Sequence, residues 1–101
     1  MSSDWEKRVV DWAAARKIFS GSNPDKQLEK LSEEVGELYD GVDKSDVSEV
    51  MDAIGDCSVV LCIIANMYGL TYSECLEAAW EQIKDRRGEI RGGVFVKEKN
   101  L

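Results

Sequence analysis

The chain contains no histidine and a single proline. Without imidazole there can be no Ser-His-Asp triad, no histidine general base and none of the common histidine-containing zinc sites. Any chemistry must come from carboxylates, Lys, Arg, hydroxyls or bound ions. The cysteines, Cys57, Cys62 and Cys75, form an odd set without C-x-x-C spacing, and two of them lie in an apolar helical run. They read as core thiols. Positive charge is scarce as well: 13 Lys and Arg stand against 20 Asp and Glu, a net charge of −7. Such a chain repels a phosphate backbone, and no basic stripe with interleaved aromatics is present, so no nucleic-acid partner is expected. A polyanionic substrate would need metal. The start, Met1-Ser2-Ser3-Asp4-Trp5, lacks the basic and apolar regions of a signal peptide, and the longest apolar run, Cys57 to Tyr68, is short for a bilayer span. The expectation is a cytoplasmic protein that engages no membrane.

What remains is globular material. With 44% hydrophobic and 33% charged residues, the 101 residues are expected to form one domain, 1–101, small enough for another subunit to cover part of its apolar surface. Low-complexity tracts and internal repeats are absent.

Cap signals divide the chain into four helices and a tail. Ser3 with Glu6 has capping-box spacing, and Trp5, Val9, Trp12 and Phe19 then share a face until Gly21. Asn23-Pro24 supplies an N-cap and first-turn proline for a second helix, seamed by Leu28, Leu31, Val35, Leu38 and Val42 and ending near Gly41. Asp46 with Glu49 opens a third helix that runs through Ile54, Val59 and Ile63 to Gly69. Its second half is apolar nearly all round, which predicts a central position or a subunit interface. Thr71 with Glu74 caps a fourth, with Leu76, Trp80 and Ile83 on one face and Gly88 as its end. The tail, Ile90 to Val96, has a Gly-Gly break and reads as an extended arm or small hairpin. Short connections predict an all-α, antiparallel four-helix bundle with an extended C-terminal arm.

Carboxylates then draw attention. At about 100° per residue, Glu34 and Glu37 fall beside the second helix's apolar seam while Glu33 points further out. The third helix offers Glu49, Asp52 and Asp56 on a single face. Asp56 stands between Ile54 and the apolar stretch that begins at Cys57, where an unpaired carboxylate would cost several kcal/mol. No well-placed buried basic residue is evident to compensate it, whereas a hard cation shared by Glu34, Glu37 and Asp56 would satisfy all three. Gly36 and Gly55, each adjoining a candidate ligand, suggest close backbone approach. Helical Glu runs are more commonly a solvated face, and Glu33 and Glu49 fit that reading, Glu49 also as a cap.

Over nearly its whole length the chain resembles the MazG-like all-α nucleoside triphosphate pyrophosphohydrolases, a superfamily that includes the dimeric dUTPases and phosphoribosyl-ATP pyrophosphohydrolase. The carriers are Gln27-Leu28-Glu29-Lys30-Leu31-Ser32-Glu33-Glu34-Val35-Gly36-Glu37-Leu38, Asp52-Ala53-Ile54-Gly55-Asp56, the segment Trp80 to Gly88, and Gly93 to Glu98. The last looks most like small phage-type members, which would place the protein in a host cytoplasm. The family's E-x-x-E on one helix and E-x-x-D on the next are matched by Glu34, Glu37 and Asp56. Ala53 stands where an acidic residue is expected, so either Asp52 serves as a ligand or the site uses fewer protein ligands; Glu49 with Asp52 satisfies E-x-x-D one turn earlier.

The resemblance implies Mg²⁺, with Mn²⁺ as a substitute, and cleavage of a nucleoside triphosphate between the α- and β-phosphates. Glu33 or Glu34 would accept a proton from water. Lys84 and Arg87 would contact phosphates, and Lys30 either does the same or is a surface lysine. Trp80 either stacks on a base or belongs to the core. A homodimer or homotetramer is the implied assembly.

Overall fold

The computed structural model describes residues 3–101 and is dominated by helix: α1 (Ser3–Ala15), α2 (Ile18–Gly21), α3 (Pro24–Asp43), α4 (Val47–Met67) and α5 (Tyr72–Ile83), followed by strands β1 (Gly88–Arg91) and β2 (Val94–Lys97) and a terminal 3-10 turn. The all-α class and C-terminal hairpin agree with expectation. The single first helix does not: Lys17 adopts a left-handed conformation (φ 61°), which splits the segment into α1 and the one-turn α2. No local signal in Ala13–Ile18 marks that break.

Caps set the remaining starts. The Asn23 side chain accepts from the Lys26 N–H at 2.9 Å with Pro24 at the first helical position. Asp46 accepts from the Glu49 N–H at 3.1 Å, but the Glu49 carboxylate pairs with Lys44 (3.7 Å) and does not complete a box. At α5 the box is complete: Thr71 Oγ1 accepts from Glu74 N–H and Glu74 Oε1 from Thr71 N–H. The Ser3 side chain, expected to cap α1, lies outside the described residues. Glu6 does other work, accepting from the N–H (3.0 Å) and hydroxyl (2.5 Å) of Ser73 and so tying α1 to the start of α5. Helix α5 ends at Ile83, earlier than expected from Gly88, which instead opens β1.

Helix α4 is central and packs on α1, α3 and α5. It supplies Ala53, Val60, Cys62, Ile63 and Ala65 to a core that Ala13 of α1 completes. By length and composition α4 could also cross a membrane, contrary to the estimate from the Cys57–Tyr68 run alone; core helices of soluble proteins pass the same test. Of the cysteines Cys62 is buried and Cys57 half-buried, whereas Cys75 is exposed, a correction to its placement in the core. Trp5 and Trp12, on the apolar face of α1, are both exposed, with the guanidinium of Arg8 or Arg16 over the ring at 4.8 and 4.6 Å.

Helices α3 and α4 form an antiparallel hairpin in which Gly41 meets Val50 and Glu34 reaches Asp56 further along. A Cβ at Gly41 would stand 3.1 Å from Val50 N and 3.2 Å from Val50 Cγ2, so this glycine lets the helices close. Gly36 and Gly55, where close approach was expected, have nothing within 4 Å. In the C-terminal hairpin, Gly92 and Gly93 take positive φ (58° and 85°) between β1 and β2, as a two-residue hairpin loop demands.

Candidate functional site

Antiparallel pairing of α3 and α4 brings Glu34 and Glu37 opposite Asp56: one carboxylate oxygen from each lies within 4.8 Å of the others. Glu34 is the unusual member. It is 6% exposed, the buried charged residue of the described chain, whereas Glu37 and Asp56 are exposed. The sequence argument had put the uncompensated charge on Asp56. The structure moves it one helix earlier, because Asp56 sits on the edge of α4 that flanks its contact with α3 while Glu34 points into that contact.

A buried carboxylate requires partners. Lys30, one turn back, approaches Glu34 Oε1 at 3.3 Å; it is the basic neighbour that sequence inspection did not recognise, and Glu34 holds the Lys30 ammonium above its ordinary range. Glu34 Oε2 has no hydrogen-bond partner among the described residues. Its neighbours in the cluster, Glu37 and Asp56, are carboxylates, which when ionised offer acceptors and no proton. Glu37 is consequently held above its ordinary value, first by close contact with Glu34 and then by its charge. Asp56 is raised too, by partial desolvation against the helix, then by Glu34, with Asp52 adding to it.

Beside this triad lies a polar cavity of about 240 Å³ lined by Glu37, Glu49, Asp52, Ala53 and Asp56. Ala53, 2% exposed, stands at its wall in the α3–α4 seam, so a methyl occupies the position where the resemblance led us to expect a carboxylate. Asp52 and Glu49 both line the same cavity, and either is placed to supply the missing charge. Glu33 is exposed and outside the triad, though near enough for its charge to act on Lys30.

Three expected phosphate or base contacts are not brought to this cavity. Trp80 is exposed on α5, Lys84 caps α5 and pairs with Glu81 at 2.6 Å, and Arg87 lies past the helix in a separate hollow with Arg86, Gly88, Glu89, Phe95, Glu98 and Leu101. Because α5 stops at Ile83, and not at Gly88 as expected, Arg87 lies beyond the helix that Lys84 caps.

An all-α chain in which hard oxygen donors converge between two helices, one of them buried with an unsatisfied oxygen, is a helical protein able to seat a divalent cation. Its family follows from comparison with known proteins. The chain belongs to the MazG nucleotide pyrophosphohydrolase domain family, whose model matches residues 22–90, more than half of its length. That match covers both acidic helices and stops short of the Gly93–Glu98 segment. The chain is also similar to an uncharacterised 18.2 kDa protein from the rep-hol intergenic region of Haemophilus phage HP1 (strain HP1c1), with 46% identity over 59 residues, 58% of this chain and 36% of the phage protein. It thus corresponds to about a third of that relative. No solved structure matches.

Proposed function

We propose that the protein is a Mg²⁺-dependent nucleoside triphosphate pyrophosphohydrolase that cleaves between the α- and β-phosphates, releasing a nucleoside monophosphate and pyrophosphate. The observation that carries this reading is buried Glu34, one oxygen of which is unpartnered, clustered with Glu37 and Asp56 in an all-oxygen donor set whose repulsion a hard cation would relieve. Family membership supplies the reaction class.

Glu34, Glu37 and Asp56 would hold the ion, with Asp52 completing the set from the cavity wall. When bound, Mg²⁺ supplies charge neutralisation on phosphate oxygens and acidifies a coordinated water. The chain's own contributions are then distinct. Lys30 pairs with Glu34 and positions it. Of the two candidate proton acceptors, Glu33 and Glu34, exposed Glu33 would take the proton, since Glu34 already pairs with Lys30. The acidic cavity would repel a bare triphosphate, so metal and substrate would enter together or metal first. Cations on α5 and the following hairpin could reach substrate phosphates only from outside the cavity as the single chain presents it.

The test is product identification. Incubation with a nucleoside triphosphate and Mg²⁺ is expected to yield pyrophosphate, with no turnover after chelation or in Asp56→Ala. A diphosphate and orthophosphate as products would refute the assigned bond. Titration calorimetry with Mg²⁺ and Mn²⁺ separately examines the metal: heat of binding that vanishes in Glu34→Gln supports the site, and no heat in the parent protein removes it.

A further inference from the structure

One cation stands against the acid cluster, and the helix that carries it does not explain the contact. The pair Lys30–Glu34 sets the base one turn before the acid, the less favourable order for an i,i+4 ion pair on a helix. Its distance, 3.3 Å, is longer than that of a well-made charge-assisted hydrogen bond. The two ends are also unlike, since the Lys30 side chain is 54% exposed and that of Glu34 only 7%. Burial of Glu34, and not the geometry of α3, therefore draws the ammonium in. Among the described residues no other cation pairs with Glu34, Glu37 or Asp56, and Lys44, the lysine that reaches the cavity wall, is engaged with Glu49.

An ammonium and a divalent ion compete for such a place. The clustered carboxylates of Glu34, Glu37 and Asp56 carry −3 when ionised, and Lys30 reduces this to −2, the kind of charge count that governs how tightly oxygen ligands hold a hard cation. Lys30 approaches Oε1 and leaves Oε2, so an ion drawn to the free oxygen would meet a positive charge across a single carboxylate. The lysine can yield. Its stem is flexible, its head is strongly hydrated, and its exposed side chain has solvent to withdraw into.

We propose that Lys30 is the built-in counterion of the acid cluster: its ammonium neutralises Glu34 in the metal-free protein and is displaced when a divalent cation binds, so that Lys30 sets the metal affinity of the site. This role rests on the reading of Glu34, Glu37 and Asp56 as metal ligands and extends it to a residue that binds no metal. Lys30 is thus a positioning residue that supports the fold when metal is absent and opposes metal when it arrives. A lysine whose only part was to aim Glu34 at the ion would do the reverse, because its loss would loosen the ligand and weaken metal binding.

Titration calorimetry of the full chain with Mg²⁺ and Mn²⁺, at about pH 8 and so above the carboxylate range, decides between them. Lys30→Met, which keeps the stem and removes the charge, is expected to bind either ion at least about tenfold more tightly than the parent, whereas Lys30→Arg, which keeps the charge, gains nothing. Lys7→Met removes the same charge from the Lys7–Asp11 pair on α1 and leaves the affinity unchanged. Without metal, Lys30→Met is expected to melt below the parent, and that loss is expected to vanish when Glu34→Gln is present in both. Should Lys30→Met lose its helical circular dichroism without metal, Lys30→Gln, whose amide still donates to Glu34, carries the same expectation. Affinity that is unchanged or weaker in a folded, neutral Lys30 variant, with the parent binding metal, overturns the counterion and leaves the metal site standing. No heat in the parent and the variants alike removes both.

Discussion

The two flanks of the α3–α4 hairpin differ in what they lack. One gathers Glu34, Glu37, Asp52 and Asp56, more negative charge than Lys30 can offset; the other exposes apolar rows, Leu28, Val35 and Val42 on α3 and Val47, Ile54, Leu61 and Tyr68 on α4, that nothing among the described residues covers. The same helical periodicity produces both, because a helix with a charged stripe and an apolar stripe must turn them to different sides once a third stripe is used to pack on its neighbour. The comparison teaches that exposure alone does not mark a site. The acid flank is informative because Glu34 is buried with an unsatisfied oxygen, and the apolar flank because its spacing is regular.

The largest predicted effect is on the acid flank. Glu34→Gln should lower both Mg²⁺ affinity and pyrophosphate release at least about a hundredfold, measured by calorimetry and product assay. The same change should raise the thermal midpoint of the metal-free protein, because the amide N–H can donate to Glu37 or Asp56 and one like charge is gone. Opposite signs for function and stability would separate a metal site from a merely solvated acidic face.

Next comes the seam between the flanks. Gly41→Ala places a methyl against Val50 and should destabilise the fold by about 1–3 kcal/mol in chemical denaturation, prising apart the helices that align the triad. A smaller effect is expected at Glu6, remote from both flanks. Its carboxyl is held below the ordinary 4.5, first by the Ser73 hydroxyl, so the folded state binds its proton less readily than the unfolded state. The stabilisation is therefore complete above the ordinary value and is lost as pH falls through the lowered one. In Glu6→Gln the thermal midpoint should drop at neutral pH, and the gap to the parent should close in acid.

The smallest change sharpens the comparison from the solvent side. Gly36→Ala meets nothing within 4 Å in the single chain and should stabilise it by about 0.5–1 kcal/mol through helix propensity alone. A loss of stability measured there would mean that another surface packs against Gly36.

Much of this was legible beforehand for local reasons. Asn23-Pro24, Asp46 and Thr71 with Glu74 start helices because each cap bonds residues within one turn, and Gly92-Gly93 closes a hairpin because both positions need positive φ. The pairing of Glu34 and Glu37 with Asp56 was readable because E-x-x-E spacing sets one face of a helix and the short Lys44–Asp46 connection forces the next helix back alongside. The break at Lys17, the early end of α5 and the Lys30–Glu34 pair escaped. The first two carry no cap residue at the point of termination, and in the third a lysine one turn from a glutamate looks like any surface pair until burial of the glutamate is known.

The sequence by itself determined where α3, α4 and α5 start and which carboxylates could share an ion, since those follow from contacts within a turn or two of the chain. Only the tertiary structure decided which acid is buried. Depth depends on how α3 rotates against α4, and that rotation is set by the close contact of Gly41 with Val50, a spatial fact with no local signature.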